Sequence, residues 1–289
     1  MSRRVVWVDA FTDRPLAGNP CAVVFDADDV DVETRIAFTR ETRLSECSFL
    51  VASDKADFGA RYYVASGEIK FAGHPTIATC AALAHAGLLA GRETITLEVG
   101  AGVISIAIGE RAGLAHFTMT QLQPQFLERY DAGFIAGIMG LEAADFAAEP
   151  QTVSTGTAFC IGLLHDHAAL ARAVLDIPRL EAVRPETDFF EVYLCTLGGF
   201  SAQGDTAARL LLTPPEPPED PFTGSATGAM AAYLWHNGHI QSPRFVAEQG
   251  HGMGRPGRAE VEVLGPRDAV EAVRVGGSGV VVMDGALLI

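Results

Sequence analysis

Residues 71–87 read FAGHPTIATCAALAHAG, and residues 222–238 read FTGSATGAMAAYLWHNG. Laid one over the other without gaps, they agree at eight of seventeen positions: Phe, Gly, Thr, Ala, Ala, Leu, His and Gly. Unrelated segments this rich in Ala and Gly would share about one or two, so the pair is an internal repeat. Its offset of 151 residues is close to half of the 289-residue chain. The chain is therefore expected to fold as two similar halves.

The repeated segments are unusual helices. Between residues 75 and 84 the apolar positions are Pro75, Ile77, Ala78, Cys80, Ala81, Ala82, Leu83 and Ala84, with only Thr76 and Thr79 polar. The partner carries Ala226, Ala229, Met230, Ala231, Ala232, Tyr233, Leu234 and Trp235. A helix that is apolar on every side is buried on every side. Twelve residues of helix span about 18 Å, roughly the depth of a small barrel. Each segment ends in His-x-Gly, which predicts helix stops at Gly87 and Gly238.

Short apolar, β-rich runs surround these helices. RVVWVDAF, CAVVF, SFLVAS, GARYYVA, TITLEV, GVISIAI and AHFTMT lie in the first half, and FCIGLL, FFEVYLCT, ARLLLT, RFVAEQG, RAEVEVL and SGVVVMD in the second. Other helices are few: DVETRIAFTRET, with Val32, Ile36 and Phe38 as its apolar contacts, and segments near 132–139, 167–173 and 177–183. The expected class is α+β, with two pseudo-symmetric domains, each a barrel-like curved sheet around one central helix. Ordinary core helices under open sheets remain the alternative at this point. The domains are placed at 1–123 and 124–289, with the last strand, VVVMDGALLI, able to return to the first.

Composition narrows the function. The net charge is −15, from 36 acidic and 21 basic residues. An acidic surface repels phosphate backbones and anionic lipid, which argues against nucleic acid or membrane partners. The first residues, MSRRVVWVDAF, contain only the short apolar run Val5, Val6, Trp7 and Val8, too short for a secretion leader. The cysteines (Cys21, Cys47, Cys80, Cys160 and Cys195) are odd in number and widely spaced, without a CxxC. That pattern suits reduced thiols in a cytoplasmic protein and supports neither a disulfide framework nor a zinc site.

Each buried helix starts with Gly and small residues: Gly73-His74-Pro75-Thr76 and Gly224-Ser225-Ala226-Thr227. A helix N-terminus carries unpaired N–H groups and a partial positive charge, and suits a carboxylate or a developing oxyanion. Gly73, Pro75 and Thr76, and Thr223, Gly224 and Ala226, are read as substrate-contacting positions for a small anionic ligand. Either start taken alone is explained by ordinary capping; the duplication favours a ligand gripped by two such ends. Among nearby ionisable groups, His74 stands at the first start and Asp220 just before the second. Glu46, in TRLSECSFL, is either a surface carboxylate or a desolvated base. His165 and His167 have no third ligand in the sequence and read as surface residues, so no metal is expected. GHGMG at 250–254 lies between strands and is no dinucleotide loop. GSATG lacks the order of a nucleophile elbow.

VDAFTDRPLAGNPCAVV, LSECSF, FAGHPTIA, EDPFTGSATGA and EQGHGMGRPG occur in this order. Together they resemble the PhzF-like family, named for phenazine biosynthesis, from about residue 5 to beyond residue 260. The chain is also similar, more distantly, to diaminopimelate epimerase and proline racemase. The resemblance implies two barrel-like domains around central helices with the active site between them, a homodimer, and no metal or organic cofactor. It also implies an isomerase working by acid–base proton transfer. Glu46 matches the proton-moving Glu of the family, His74 its GH histidine, and Asp220 and Ser225 the assisting residues of DPxTGSA. Cys47 stands where Thr is common. The epimerase relatives use a cysteine before each helix-start Gly, but Ala72 and Thr223 occupy those places here. Neither exchanges a proton near neutral pH. A single carboxylate then favours isomerisation over inversion. A lyase or hydratase on the same site, or a non-catalytic small-acid-binding protein, are the rival readings.

Overall fold

The computed structural model describes residues 2–289, and the chain divides into two compact units. One comprises the residues up to Thr120 together with Pro214–Pro217 and Gly276–Ile289; the other comprises Gln121–Thr213 and Pro218–Val275. Among the described residues no helix is long and apolar enough to cross a membrane.

In the first unit β1 (Ser2–Ala10) is antiparallel to β2 (Asn19–Val24), and β2 runs parallel to β3 (Glu46–Val51) after a crossover through α1 (Val32–Thr42). β3 is antiparallel to β4 (Phe58–Val64). One end of β4 pairs with the short β5 (Gly67–Ile69), and the other runs parallel to β6 (Thr94–Val99). β6, β7 (Gly102–Arg111) and β8 (Leu114–Thr120) form an antiparallel meander. The last strand of the chain then pairs with both β8 and β1, which closes the ring into a barrel. The helix between β5 and β6, α2 (Gly73–His85), lies against β1, β2, β3 and β8. Every residue of α2 from Gly73 to Leu83 is buried. Its small residues let the surrounding strands approach, while Ile77 and Leu83, both fully buried, contribute about 1.5–3 kcal/mol each.

Alternation along β3 sorts its side chains. Cys47 and Phe49 pack outward with Val24, Val30 and Tyr63, and α1 covers them with Ile36 and Phe38. The expected inward contact of Val32 is not made: Val32 is exposed, and the buried residues of α1 are Arg35 and Thr39. Arg35 is accommodated because Nε and Nη2 donate to the carbonyls of Val30 (2.9 Å) and Ala27 (2.8 Å). Its guanidinium also lies over the Phe49 and Tyr63 rings.

The second unit repeats the pattern. β9 (Gln125–Arg129) and β10 (Gln151–Ser154) are antiparallel, as are β10 and β11 (Ala158–Leu164). β11 is parallel to β12 (Glu191–Leu197), which is antiparallel to β13 (Thr206–Leu211). β13 pairs with the short β14 (Glu219–Asp220) and runs parallel to β15 (Arg244–Gln249). β15 is antiparallel to β16 (Gly257–Leu264), and β17 (Ala272–Leu288) is the strand that closes the first barrel. The central helix, α6 (Gly224–His236), lies against β10, β11, β12 and β16, and is buried from Gly224 to Leu234. Outside the sheet, α3 (Ala132–Met139), α4 (His167–Arg172) and α5 (Ile177–Val183) cover a cluster that includes Ile138, Leu164, Leu170, Leu180 and Leu194.

The two central helices agree bond for bond at the 151-residue offset. Thr76 Oγ1 donates to the Ala72 carbonyl at 2.7 Å, and Thr227 Oγ1 to the Thr223 carbonyl at 2.9 Å. At the other end Leu88 N–H reaches the Leu83 carbonyl and His239 N–H the Leu234 carbonyl. Gly87 and Gly238 take φ values of 76° and 78° at these stops.

Candidate active site

Glu46 is the first residue of β3. The residue before it, Ser45, donates from Oγ to Asn19 Oδ1 at 3.3 Å, which ties this strand start to the start of β2. Ser48 faces α2, its Oγ 2.7 Å from Thr79 Oγ1. Glu46, two residues earlier, shares that inward face. Its side chain is 20% exposed, between the two possibilities left open by the sequence.

His74 is the second residue of α2 and is brought to Glu46: Nδ1 stands 3.6 Å from Oε2, and the imidazole side chain is only 2% exposed. The separation is too long for a hydrogen bond, and it forms an ion pair only when the ring is protonated. Burial pushes the imidazole down to about 3, so at neutral pH the ring is uncharged. Its Nε2 is buried and has no hydrogen-bond partner among the described residues.

The helix start itself is unusual. α1, α3, α4 and α5 are each capped by an aspartate side chain: Asp31, Asp131, Asp166 and Asp176. α2 and α6, far more buried, have Ala72 and Thr223 at that position and no side-chain cap. Their first-turn N–H groups lack intrahelical acceptors. Pro75 removes one donor from α2, which leaves Gly73 and His74 to present theirs. The hydroxyl of Thr76 is engaged by the Ala72 carbonyl and lies 2.9 Å from the Tyr62 hydroxyl. The Thr76 hydroxyl thus ties the helix start to its own first turn and to β4.

In the second unit Asp220, Thr223, Gly224, Ser225 and Ala226 lie together on β14 and the start of α6, all buried. Thr223 Oγ1 donates to Asp220 Oδ2 at 2.6 Å instead of capping the helix. Gln249, fully buried at the end of β15, organises this segment. Its Nε2 donates to the Asp220 carbonyl at 2.7 Å, while its Oε1 accepts from Thr223 N–H at 3.0 Å and from the Tyr193 hydroxyl at 2.9 Å. Gln121 holds the next turn, donating from Nε2 to the Gly224 carbonyl at 2.8 Å and accepting from Thr155 Oγ1 at 2.6 Å. Sequence reasoning passed over both amides. Gln249 lies within EQGHGMGRPG, so its motif was visible but its partners were not. Gln121 carried no signal. His165 and His167 stay apart from these groups; His167 Nε2 is 2.9 Å from the Gly198 carbonyl.

Residues 8–285 match the family described as phenazine biosynthesis-like protein, PhzC-PhzF. The chain belongs to the PhzC-PhzF family. An uncharacterized isomerase of Bacillus subtilis, YfhB, is 31% identical over 90% of each chain. The trans-2,3-dihydro-3-hydroxyanthranilate isomerase of Pseudomonas aeruginosa is 30% identical over 98% of each. The solved PhzF-family phenazine biosynthesis protein of Bacillus anthracis superposes with a TM-score of 0.90 at 27% identity, covering all of both chains. A hydroxyproline epimerase from Agrobacterium vitis shares the fold at 13% identity and a TM-score of 0.68, over 99% of this chain and 91% of that one. The architecture is thus the diaminopimelate epimerase-like one, within a family of isomerases.

For this PhzC-PhzF family member the thiols are poor proton carriers. All five cysteines are buried. Burial pushes each thiol up: Cys47 to about 11, and Cys21, Cys80, Cys160 and Cys195 likewise above the ordinary thiol range. None stands immediately before a central helix, where Ala72 and Thr223 are found.

Proposed function

We propose that this chain is an isomerase that relocates a proton within a small, carboxylate-bearing substrate. Glu46 removes the proton and returns it at a second position on the same face. His74, as a neutral imidazole, holds the substrate or the reacting carboxyl through a hydrogen bond. The uncapped helix starts, at Gly73-His74 and Gly224-Ser225, hold negative charge on the substrate and on the enol-like intermediate. Asp220 and Ser225 assist, as their motif implies. Moving a proton between carbons leaves composition and oxidation state unchanged, so the step balances without a redox partner.

The observation that carries this reading is the approach of Glu46 to a buried, uncharged His74 with an unpartnered Nε2 at an uncapped helix start. A neutral His74 can offer a ring nitrogen as a hydrogen-bond partner without placing a fixed positive charge beside Glu46. The names of the relatives support the reaction class, and anthranilate names a carboxylate.

The test is incubation of the chain in deuterated water with a panel of small unsaturated and hydroxylated carboxylic acids, followed by proton NMR and mass spectrometry. An isomerase exchanges or moves a carbon-bound hydrogen with no mass change beyond deuterium. A gain or loss of water would identify a hydratase or lyase instead. Binding without any exchange across the panel would remove the isomerase reading.

A further inference from the structure

The two barrels share one strand register around their central helices. In the first unit Ser48 pairs with Tyr62 and Tyr62 with Ile69, four residues before Gly73. In the second, Tyr193 pairs with Leu210 and Leu210 with Asp220, four residues before Gly224. Ser48 and Tyr193 thus hold equivalent positions by register, and both point at their central helix, Ser48 to Thr79 and the longer Tyr193 to Thr227, one turn nearer the helix start. Two residues earlier on each strand stands its first residue. In β3 it is Glu46; in β12 it is Glu191. Each strand runs parallel to its predecessor there, Glu46 opposite Cys21 and Glu191 opposite Phe159.

The surroundings of the two carboxylates differ. Glu46 faces an uncharged imidazole. Glu191, 2% exposed, accepts on Oε1 from Arg184 Nη2 at 3.1 Å and from Thr213 Oγ1 at 3.4 Å. Its Oε2 is buried with no hydrogen-bond partner among the described residues. Arg184 is fixed from three sides, since Nη1 donates to the Phe190 carbonyl at 2.7 Å and Nε to Glu181 Oε1 at 3.1 Å.

We infer that Glu191 is the second unit's copy of Glu46, and that Arg184 retires it from proton transfer by holding it as a buried ion pair. Duplication put a carboxylate at this strand start in both barrels; the arginine makes the scaffold chemically one-sided. Burial pushes the Glu191 carboxyl upward, with Glu181 adding to the rise, while Arg184 and the Thr213 hydroxyl draw it back. Arg184 is the only cation among these neighbours, so its removal leaves a buried acid that takes up a proton. The proposal takes Glu46 as the proton carrier, but the experiment reads Glu191 directly and is indifferent to what Glu46 does.

The experiment is an NMR titration of the full chain labelled at the glutamate carboxyl carbon, with Glu191→Gln identifying the resonance. In the natural chain Glu191 is expected to be ionised at neutral pH. In Arg184→Met its proton affinity is expected to rise about tenfold or more, and in Arg184→Lys much less. The proposal is overturned if Glu191 is already protonated at neutral pH in the natural chain, or if Arg184→Met leaves its titration unmoved. Should Arg184→Met fail to fold, the pair Arg184→Met with Glu191→Gln decides: recovered folding supports a role confined to Glu191, and continued failure overturns it.

Discussion

The imidazole of His74 faces the carboxylate of Glu46 across 3.6 Å, with the ring on the first turn of a buried helix and the acid on the first residue of a strand. Glu46 is the more accessible of the two, 20% exposed against 2% for the buried ring. Glu46→Gln is nearly isosteric and keeps the strand start, so the melting temperature should stay close to that of the natural chain. Solvent deuterium incorporation into a substrate from the acid panel should fall by about 10²–10⁴ or more. Unimpaired exchange in this variant would take Glu46 out of the mechanism.

The charge state of His74 gives a second prediction, with a definite sign. Its native pKa, about 3, lies below the ordinary histidine value of 6.5, so the unfolded chain binds a proton that the native chain refuses. This group's contribution to stability is complete above about pH 6.5 and is lost as pH falls towards 3, at up to about 1.4 kcal/mol per pH unit. Urea unfolding at pH 7.5 and 5.5 should show the natural chain losing about 1 kcal/mol more than His74→Asn. If His74 were instead a cation paired with Glu46, the natural chain would gain stability relative to the variant over the same interval.

Gln249 supports a prediction about the second helix start. Its amide serves the Asp220 carbonyl, the Thr223 N–H and the Tyr193 hydroxyl in a fully buried setting. Gln249→Leu preserves much of the volume but removes all three of these hydrogen bonds, leaving the Tyr193 hydroxyl only its contact with Thr227 Oγ1. A buried polar group that loses its partner costs about 1–3 kcal/mol before relaxation, so the loss of these three bonds is expected to lower stability by about 2–4 kcal/mol in urea unfolding. A loss below about 1 kcal/mol would mean that the segment from Asp220 to Gly224 is held by other means.

How much of this was legible in the sequence follows from which interactions are local. The two buried helices were readable because an absent polar face is a property of the segment itself. Their glycine stops were readable for the same reason. Val32 was misread because periodicity assigns the inward face by hydrophobicity, whereas α1 turns Arg35 inward onto two aromatic rings and two carbonyls from other segments. Gln121 and Gln249 were invisible as hubs because a buried amide is tolerable only with partners, and theirs lie as far away as Gly224 and Tyr193. Glu46 and His74 could be named from their motifs, but their separation and the neutrality of the ring are properties of packing. The ion pair that distinguishes Glu191 from Glu46 is likewise a tertiary fact.

The duplication makes a last prediction, about energy. Gly87 and Gly238 close the two central helices in the left-handed region, at φ 76° and 78°. A side chain at Gly87 would meet nothing within 4 Å, and at Gly238 only Arg267 Nη1 at 3.4 Å. The cost of Gly87→Ala is therefore conformational, about 1–2 kcal/mol for a left-handed non-glycine residue, and that of Gly238→Ala should be closely similar. The variants should shift urea midpoints by like amounts with unchanged slopes. Because the two sites lie in separate barrels and share no partner, the double variant should lose about the sum. A double variant no less stable than either single one would show that the two helix stops are not independent, against the picture of two equivalent barrels each closed by its own glycine.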